Sequence, residues 1–273
     1  MKSMVTVIQE QFKSFYLICR LSFFEIKIEN NKNYLGMFWE ILSPMILIAI
    51  YWFVFGTGLR SGETIRGDVP FLPWMLAGIV VWFFANPAIL HGTKSIYNRI
   101  KMISKMNFPM SVIPTYVIMS KFYTHLLLVA VIFIILQFFG FFPSLYLVQL
   151  PYFMFAAFVL LFGICLVTST ISVIIPDIQK FIQATLRMLL YLSPILWDPA
   201  KFVNSDYSYV PFIMKLNPLY YVVEGYRHSL LGDQWYLVQH WQYTIYFWVF
   251  VIAVMLFGAS MHVKFRNRFI EYI

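Results

Sequence analysis

A chain of 273 residues, 61% hydrophobic and only 12% charged, carries more apolar surface than a soluble fold of its length can bury, and too few charges to coat its exterior. The same numbers exclude a disordered chain, which needs low hydrophobicity and high charge. A net charge of +8 raises nucleic acid as a partner, so where the basic residues fall along the chain decides the matter.

The first segment, 1–37, is too polar to cross a membrane. It opens MKSMVTVIQEQFKSF, with Gln, Glu and Lys where a signal peptide needs its apolar core. No cleaved signal is expected, and the first span does the targeting. Drawn as a helix over 5–29, the segment puts Ile8, Phe12, Phe15, Cys19, Phe23 and Ile26 on one stripe, flanked by Lys13, Arg20 and Lys27. This is the pattern of an amphipathic helix lying in the membrane interface, its basic stems reaching the headgroups. A second stripe, Leu17, Leu21, Phe24 and Ile28, is expected to pack on another protein element.

With about 20 apolar residues per crossing, the rest reads as six spans near 38–57, 73–93, 111–140, 150–174, 178–197 and 243–263. The first opens on Glu40, and Asp177 precedes the fifth; an anion suits a helix N-terminus. The third begins at the interface and is expected to bend at Pro114. The fifth is the most polar, carrying Lys180, Gln183 and Arg187. A cation inside a span costs at least about 2.5–3.5 kcal/mol, so Lys121 and Arg187 either snorkel to the interface or face a pore or a partner.

Residues 198–240 are too polar to span and too aromatic for a plain loop. Asn217 can cap a helix that begins at Pro218 and stops at Gly232. On its face Glu224 reaches Arg227 and His228. This helix is too short to cross. It either re-enters the membrane under protein cover or caps its surface.

With both termini in the cytoplasm, most Lys and Arg fall on the cytoplasmic side. They lie ahead of the first span (Lys2, Lys13, Arg20, Lys27, Lys32), between the second and third (Lys94, Arg99, Lys101, Lys105) and in the tail (Lys264, Arg266, Arg268). The basicity marks topology, and nucleic acid is not an expected partner. There is no P-loop, no HExxH and no metal-ligand spacing, and Cys19 and Cys165 make no disulfide framework. His91 and His125 are expected to make ordinary hydrogen bonds. No enzymatic activity and no cofactor or metal of the chain's own are expected. A membrane transferase would need clustered acids or histidines, and an ion-coupled transporter internal repeats; the sequence offers neither.

Several motifs, in register from about residue 10 to 270, carry a family likeness. Asn33-Tyr-Leu-Gly-Met-Phe-Trp39 leading to Ser43-Pro44, Lys105-Met-Asn-Phe-Pro109 before Ile113-Pro114, Ser193-Pro-Ile-Leu-Trp197, and Leu216-Asn-Pro-Leu-Tyr-Tyr221 with Glu224-Gly-Tyr-Arg227 together resemble the ABC-2-type export permeases. The nearest likeness is to the subgroup that exports wall teichoic acid. Family members often carry Arg-Asp ahead of the fifth span, where this chain has Pro176-Asp177.

The resemblance implies an N-terminal interface helix over 1–37 and a transmembrane domain over 38–273, with two short outer gate helices within about 207–231. It implies a homodimer in the bacterial plasma membrane, bound to two copies of a P-loop ATPase that supply ATP and Mg. The expected cargo is lipid-linked teichoic acid or a related polymer such as O-antigen or capsule. Arg99, Lys101, Met102, Ile103, Lys105, Met106, Asn107, Phe108 and Pro109 would form the ATPase-coupling element. The polymer's path would be lined by Lys121, Arg187, Glu224 and Arg227 and by Tyr34, Trp39, Tyr191, Trp197 and Tyr220.

Overall fold

The computed structural model describes residues 2–31, 33–58, 64–65, 69–103, 109–202, 207–266 and 269; the side chains of 56–58 and 100–103 lie outside that description. Among the described residues, five helical stretches are long and apolar enough to cross a membrane: Gly36–Phe55, Phe71–Arg99, Val112–Phe138, Leu145–Ile174 and Trp241–Phe265. They match the first four and the last of the predicted spans.

The N-terminal segment forms two helices rather than one, α1 (Lys2–Lys13) and α2 (Phe15–Asn30), parted at Ser14. The break lets α1 lean on the last long helix while α2 lies along the third span. Phe12, Phe15 and Phe23 are exposed, as are Lys13, Arg20 and Lys27. The inward face differs from the expected second stripe. Ile18, Ser22, Ile26 and Asn30, each four residues apart, are buried, whereas Phe24 and Ile28 are exposed. A wheel drawn on apolar residues alone misplaces this face because it is half polar.

After a 3-10 turn at Gly36–Phe38, α3 (Trp39–Tyr51) runs into a π-helical turn at Trp52–Gly58. Only Ile48 of α3 is buried. A two-residue antiparallel bridge, β1 (Thr64–Ile65) with β2 (Val69–Pro70), leads into α4 (Phe71–Ile103). This helix is the centre of the bundle, packed on α5 (Val112–Phe138) and α6 (Leu150–Ile174). Pro114 is the third residue of α5, where its missing N–H leaves no intrahelical bond unmade, so the expected bend has no cause.

The fifth predicted span is α7 (Ile178–Leu192), only 15 residues, or about 22 Å of rise against the ~30 Å of a hydrocarbon core. It stops because Pro194 disfavours helical backbone at Ser193, which is extended (ψ 141°). Its outward face, with Phe181, Arg187, Met188 and Tyr191, is exposed. Ser193–Leu196 are buried and lead past a 3-10 turn at Pro199–Phe202 to α8 (Val210–Lys215).

Next comes α9 (Pro218–Leu231), with the predicted bounds. The Asn217 side chain accepts from the Leu219 N–H at 3.0 Å, and Gly232 ends the helix at φ 72°, a conformation that favours glycine. Every residue from Leu219 to Leu230 is buried, enclosed by α4, α6, the 3-10 turn at Leu145–Gln149, the short α10 (Tyr236–Gln239) and α11 (Trp241–Phe265). Protein therefore supplies the cover that re-entry requires. At Gly225 the helix lies directly on the Phe153 ring, with no room for a Cβ. Gly225→Ala is expected to destabilise the protein by roughly 1–3 kcal/mol through overpacking, read as a lower melting temperature in detergent. Combined with Phe153→Ala, it should cost less than the two single changes summed.

Candidate functional site

Helix α9 delivers a charge to the inside of the bundle. Arg227 is 1% exposed, an energetic liability unless every side of the guanidinium is met. One turn earlier, Glu224 accepts from Arg227 Nη1 at 2.7 Å. The Ile195 carbonyl, in the irregular stretch after α7, accepts from Nη2 at 2.9 Å. The Trp74 ring of α4 lies 3.5 Å from the guanidinium carbon, a cation–π contact in a desolvated setting. Gly78, one turn along α4, makes the space: a Cβ there would stand 2.7 Å from Nη2. Beside Arg227, His228 meets Asp233 through Nδ1 at 3.0 Å and Gln234 through Nε2 at 3.1 Å. Trp74, Arg227, His228 and Asp233 border a cavity of about 220 Å³. The pairing of Glu224 with Arg227 was legible from spacing alone; Trp74 and Gly78, far away in sequence, were not.

A second polar constellation lies where α2 meets α4 and α5. Lys121, buried on α5, donates from Nζ to Glu29 Oε2, while His91 Nδ1 of α4 lies 3.2 Å from Glu29 Oε1. Burial works against ionisation of Glu29, but hydrogen bonds from His91 and Lys121 and the charge on Lys121 outweigh it, pushing the pKa from 4.5 down to about 2. Asn30 Nδ2 donates to Glu40 Oε1 at 3.1 Å, tying α2 to the start of α3. These groups line an open cavity of about 500 Å³, bordered also by Trp39, Ser43 and His125.

One helical turn beyond Lys121, His125 stacks on Phe84 and its Nε2 lies 2.8 Å from the Tyr226 hydroxyl, next in chain to Arg227. This bond is a polar contact between α5 and α9 within the apolar core. His91 and His125 make the hydrogen bonds expected of them.

The remaining expected residues are spread out. Arg99 pairs with Glu25 of α2, and its guanidinium sits 5.5 Å from the Tyr116 ring. Pro109 accepts from the Val112 N–H at 3.0 Å, in the turn into α5. Lys101, Met102 and Ile103 are on the last turn of α4 with side chains outside the description, and Lys105, Met106, Asn107 and Phe108 lie outside the described residues. Tyr34 is fully exposed and Tyr220 buried. Trp197 Nε1 donates to the Tyr191 carbonyl at 2.9 Å. Arg187 and Tyr191 share the exposed face of α7, whereas Arg227 and Lys121 are buried.

Sequence reasoning missed the acids of the N-terminal helices. Glu10 pairs with Arg266 at 2.6 Å and accepts from Ser111, Glu25 pairs with Arg99, and Glu29 with Lys121. The signal was present for two of them: on the wheel Glu25 and Glu29 lie opposite Arg20 and Lys27, whereas Glu10 lies only about 60° from Lys13. Among the described residues no cluster of His, Cys, Asp and Glu is arranged to hold a metal ion.

Removing one member of the Glu224–Arg227 pair is expected to cost about 3–5 kcal/mol, because the other charge is left buried. Thermal unfolding should show Arg227→Met or Glu224→Gln well below the parent, and Arg227→Met with Glu224→Leu above either. The Glu29 pairing sets a pH dependence. Its folded pKa lies below its unfolded one, so its stabilisation is full above about pH 4.5 and is lost as pH falls toward 2. The protection factor of the α2 amides against hydrogen exchange should hold down to about pH 4.5 and fall below it; in Glu29→Gln that added fall should be absent.

Residues 20–231 match the ABC-2 type transporter family. The chain is 25% identical over 255 residues to an O-antigen export system permease protein RfbA of Klebsiella pneumoniae, covering 91% of this chain and 92% of that one. It is 21% identical over 225 residues to the RfbA permease of Myxococcus xanthus, covering 82% and 84%. The family match runs from within α2 through α9 and takes in the Glu224–Arg227 pair with Trp74 and Gly78, and the Glu29–Lys121 constellation. On that match, and with five helices of spanning length, the chain belongs to the ABC-2 type transporter family, as a multi-pass membrane transport subunit.

Proposed function

We propose that the chain is the permease of an ATP-driven exporter that carries a lipid-linked polysaccharide of the O-antigen kind across the bacterial plasma membrane. The exporters named among its relatives support the cargo class. The observation that carries the reading is the pair of uncovered elements, α3 and α7. Almost nothing of α3 is buried, and α7 turns Arg187 outward beside Phe181, Met188 and Tyr191. A cation on a lipid-facing surface is costly, so this face meets a partner or a hydrated path. A second copy of the chain supplies both, with the polymer passing between the copies. In this reading α7 and the buried turn after it complete a sixth crossing, both termini are cytoplasmic, and α8 and α9 form the outer gate.

With no nucleotide motif in the chain, the driving free energy comes from two copies of a separate P-loop ATPase. These dock on the connection between α4 and α5, around residues 98–109.

Of the three cations set on the path by sequence, Lys121 is taken by Glu29 and Arg227 by Glu224, while Arg187 remains exposed. This suits a polymer of low charge better than the polyphosphate chain of a teichoic acid, a cargo that rests on motif likeness alone.

Purification in mild detergent should bring down a P-loop ATPase whose turnover rises with added lipid-linked polysaccharide; no ATPase and no stimulation would sink the export reading. Arg187→Ala should lower export several-fold at unchanged membrane abundance. Stimulation by lipid-linked teichoic acid but not by neutral polysaccharide would reverse the assignment of cargo.

A further inference from the structure

We propose that the outward face of α2 is a binding site for anionic phospholipid, with Arg20 and Lys27 holding the phosphate. The N-terminal helices divide their charges between two faces. Glu10, Glu25 and Glu29 turn inward and are consumed by Arg266, Arg99 and Lys121. Lys13, Arg20 and Lys27 turn outward, exposed, and none makes an ion pair with a described residue. The outward face is therefore cationic without a compensating carboxylate. Such a face complements a phosphodiester anion. It offers nothing to the ammonium of a zwitterionic headgroup, which would want an acid beside the base.

The surroundings select a lipid over a soluble anion. Between Arg20 and Lys27, two helical turns apart, lies a groove of about 610 Å³. Its walls are Tyr16, Phe23, Phe24 and, from the chain leading into α3, Met37. Tyr16, Phe23 and Phe24 are large, apolar and exposed, an arrangement that needs hydrocarbon against it. The Arg20 guanidinium lies 5.9 Å from the Phe24 ring, which holds it across the mouth of the groove. The other edge is fixed to the bundle, since the Phe23 ring packs 4.9 Å from Tyr123 of α5. Acyl chains meet the aromatic wall while the phosphate meets the two bases. The site is independent of what the protein exports.

The full-length permease, purified in mild detergent and stripped of lipid, is titrated with phosphatidylglycerol and with phosphatidylcholine of the same acyl chains, and bound lipid is counted by native mass spectrometry. Phosphatidylglycerol should be retained and phosphatidylcholine not. Arg20→Gln with Lys27→Gln should weaken retention about tenfold or more, given roughly 1 kcal/mol per basic residue at an anionic surface. Arg20→Lys with Lys27→Arg should keep it, and Lys180→Gln, which removes an exposed cation of α7, should leave it unchanged. An unaltered melting temperature separates lost binding from lost fold. Equal retention of the two lipids, or full retention by the neutralised variant, overturns the proposal. So does displacement of phosphatidylglycerol by an equimolar polyprenyl diphosphate, which would assign the groove to a cargo carrier instead.

Discussion

A charge buried in this bundle has no bulk water to solvate it, and much of the architecture follows from where each one finds its counter-charge. Arg227 requires Glu224, the Ile195 carbonyl and the Trp74 face at once. Those groups come from three parts of the chain, so satisfying one guanidinium fixes α9 against α4 and against the turn that follows α7. Lys121 of α5 acts likewise. Its partner Glu29 belongs to α2, which is thereby tied to the bundle as well as resting on it. A bond between His125 and the Tyr226 hydroxyl ties α5 to α9. The apolar contacts are far more numerous, but they are less directional. The polar ones set register.

What could be read from sequence was what the chain decides locally. The bounds of α9 followed from Asn217-Pro218 and Gly232, because caps act within one turn. The Glu224–Arg227 pair followed from a spacing of three. The long spans followed from length and apolarity. Misreadings arose where distant residues decide. The inward face of α2 is set by Arg99 and Lys121, some 70 to 90 positions away, which draw Glu25 and Glu29 inward along with Ser22 and Asn30. An apolar wheel favoured Phe24 and Ile28 instead. The fifth span was drawn through to residue 197, although Pro194 ends the helix before it reaches crossing length.

The same contrast applies to the candidate path. Sequence marks cations in apolar surroundings without distinguishing a paired one from a free one. In the fold, Lys121 and Arg227 are structural ties, while Arg187 shares an open face with Tyr191. Residues on one predicted path thus divide into those that hold the bundle together and those left to meet something outside it. The exposed members lie on α7 and around the start of α3, yet the turn after α7 still meets Arg227 through the Ile195 carbonyl.

The enclosure of α9 also bears on how the protein is made. A helix carrying Glu224, Arg227 and His228 has no affinity for lipid, and its slot is walled by α4 and α6, which emerge from the ribosome earlier, and by α11, which emerges later. The slot for α9 is therefore closed on all sides only once α11 has joined α4 and α6, so the cover over its charged residues is complete only when the last long helix has been made.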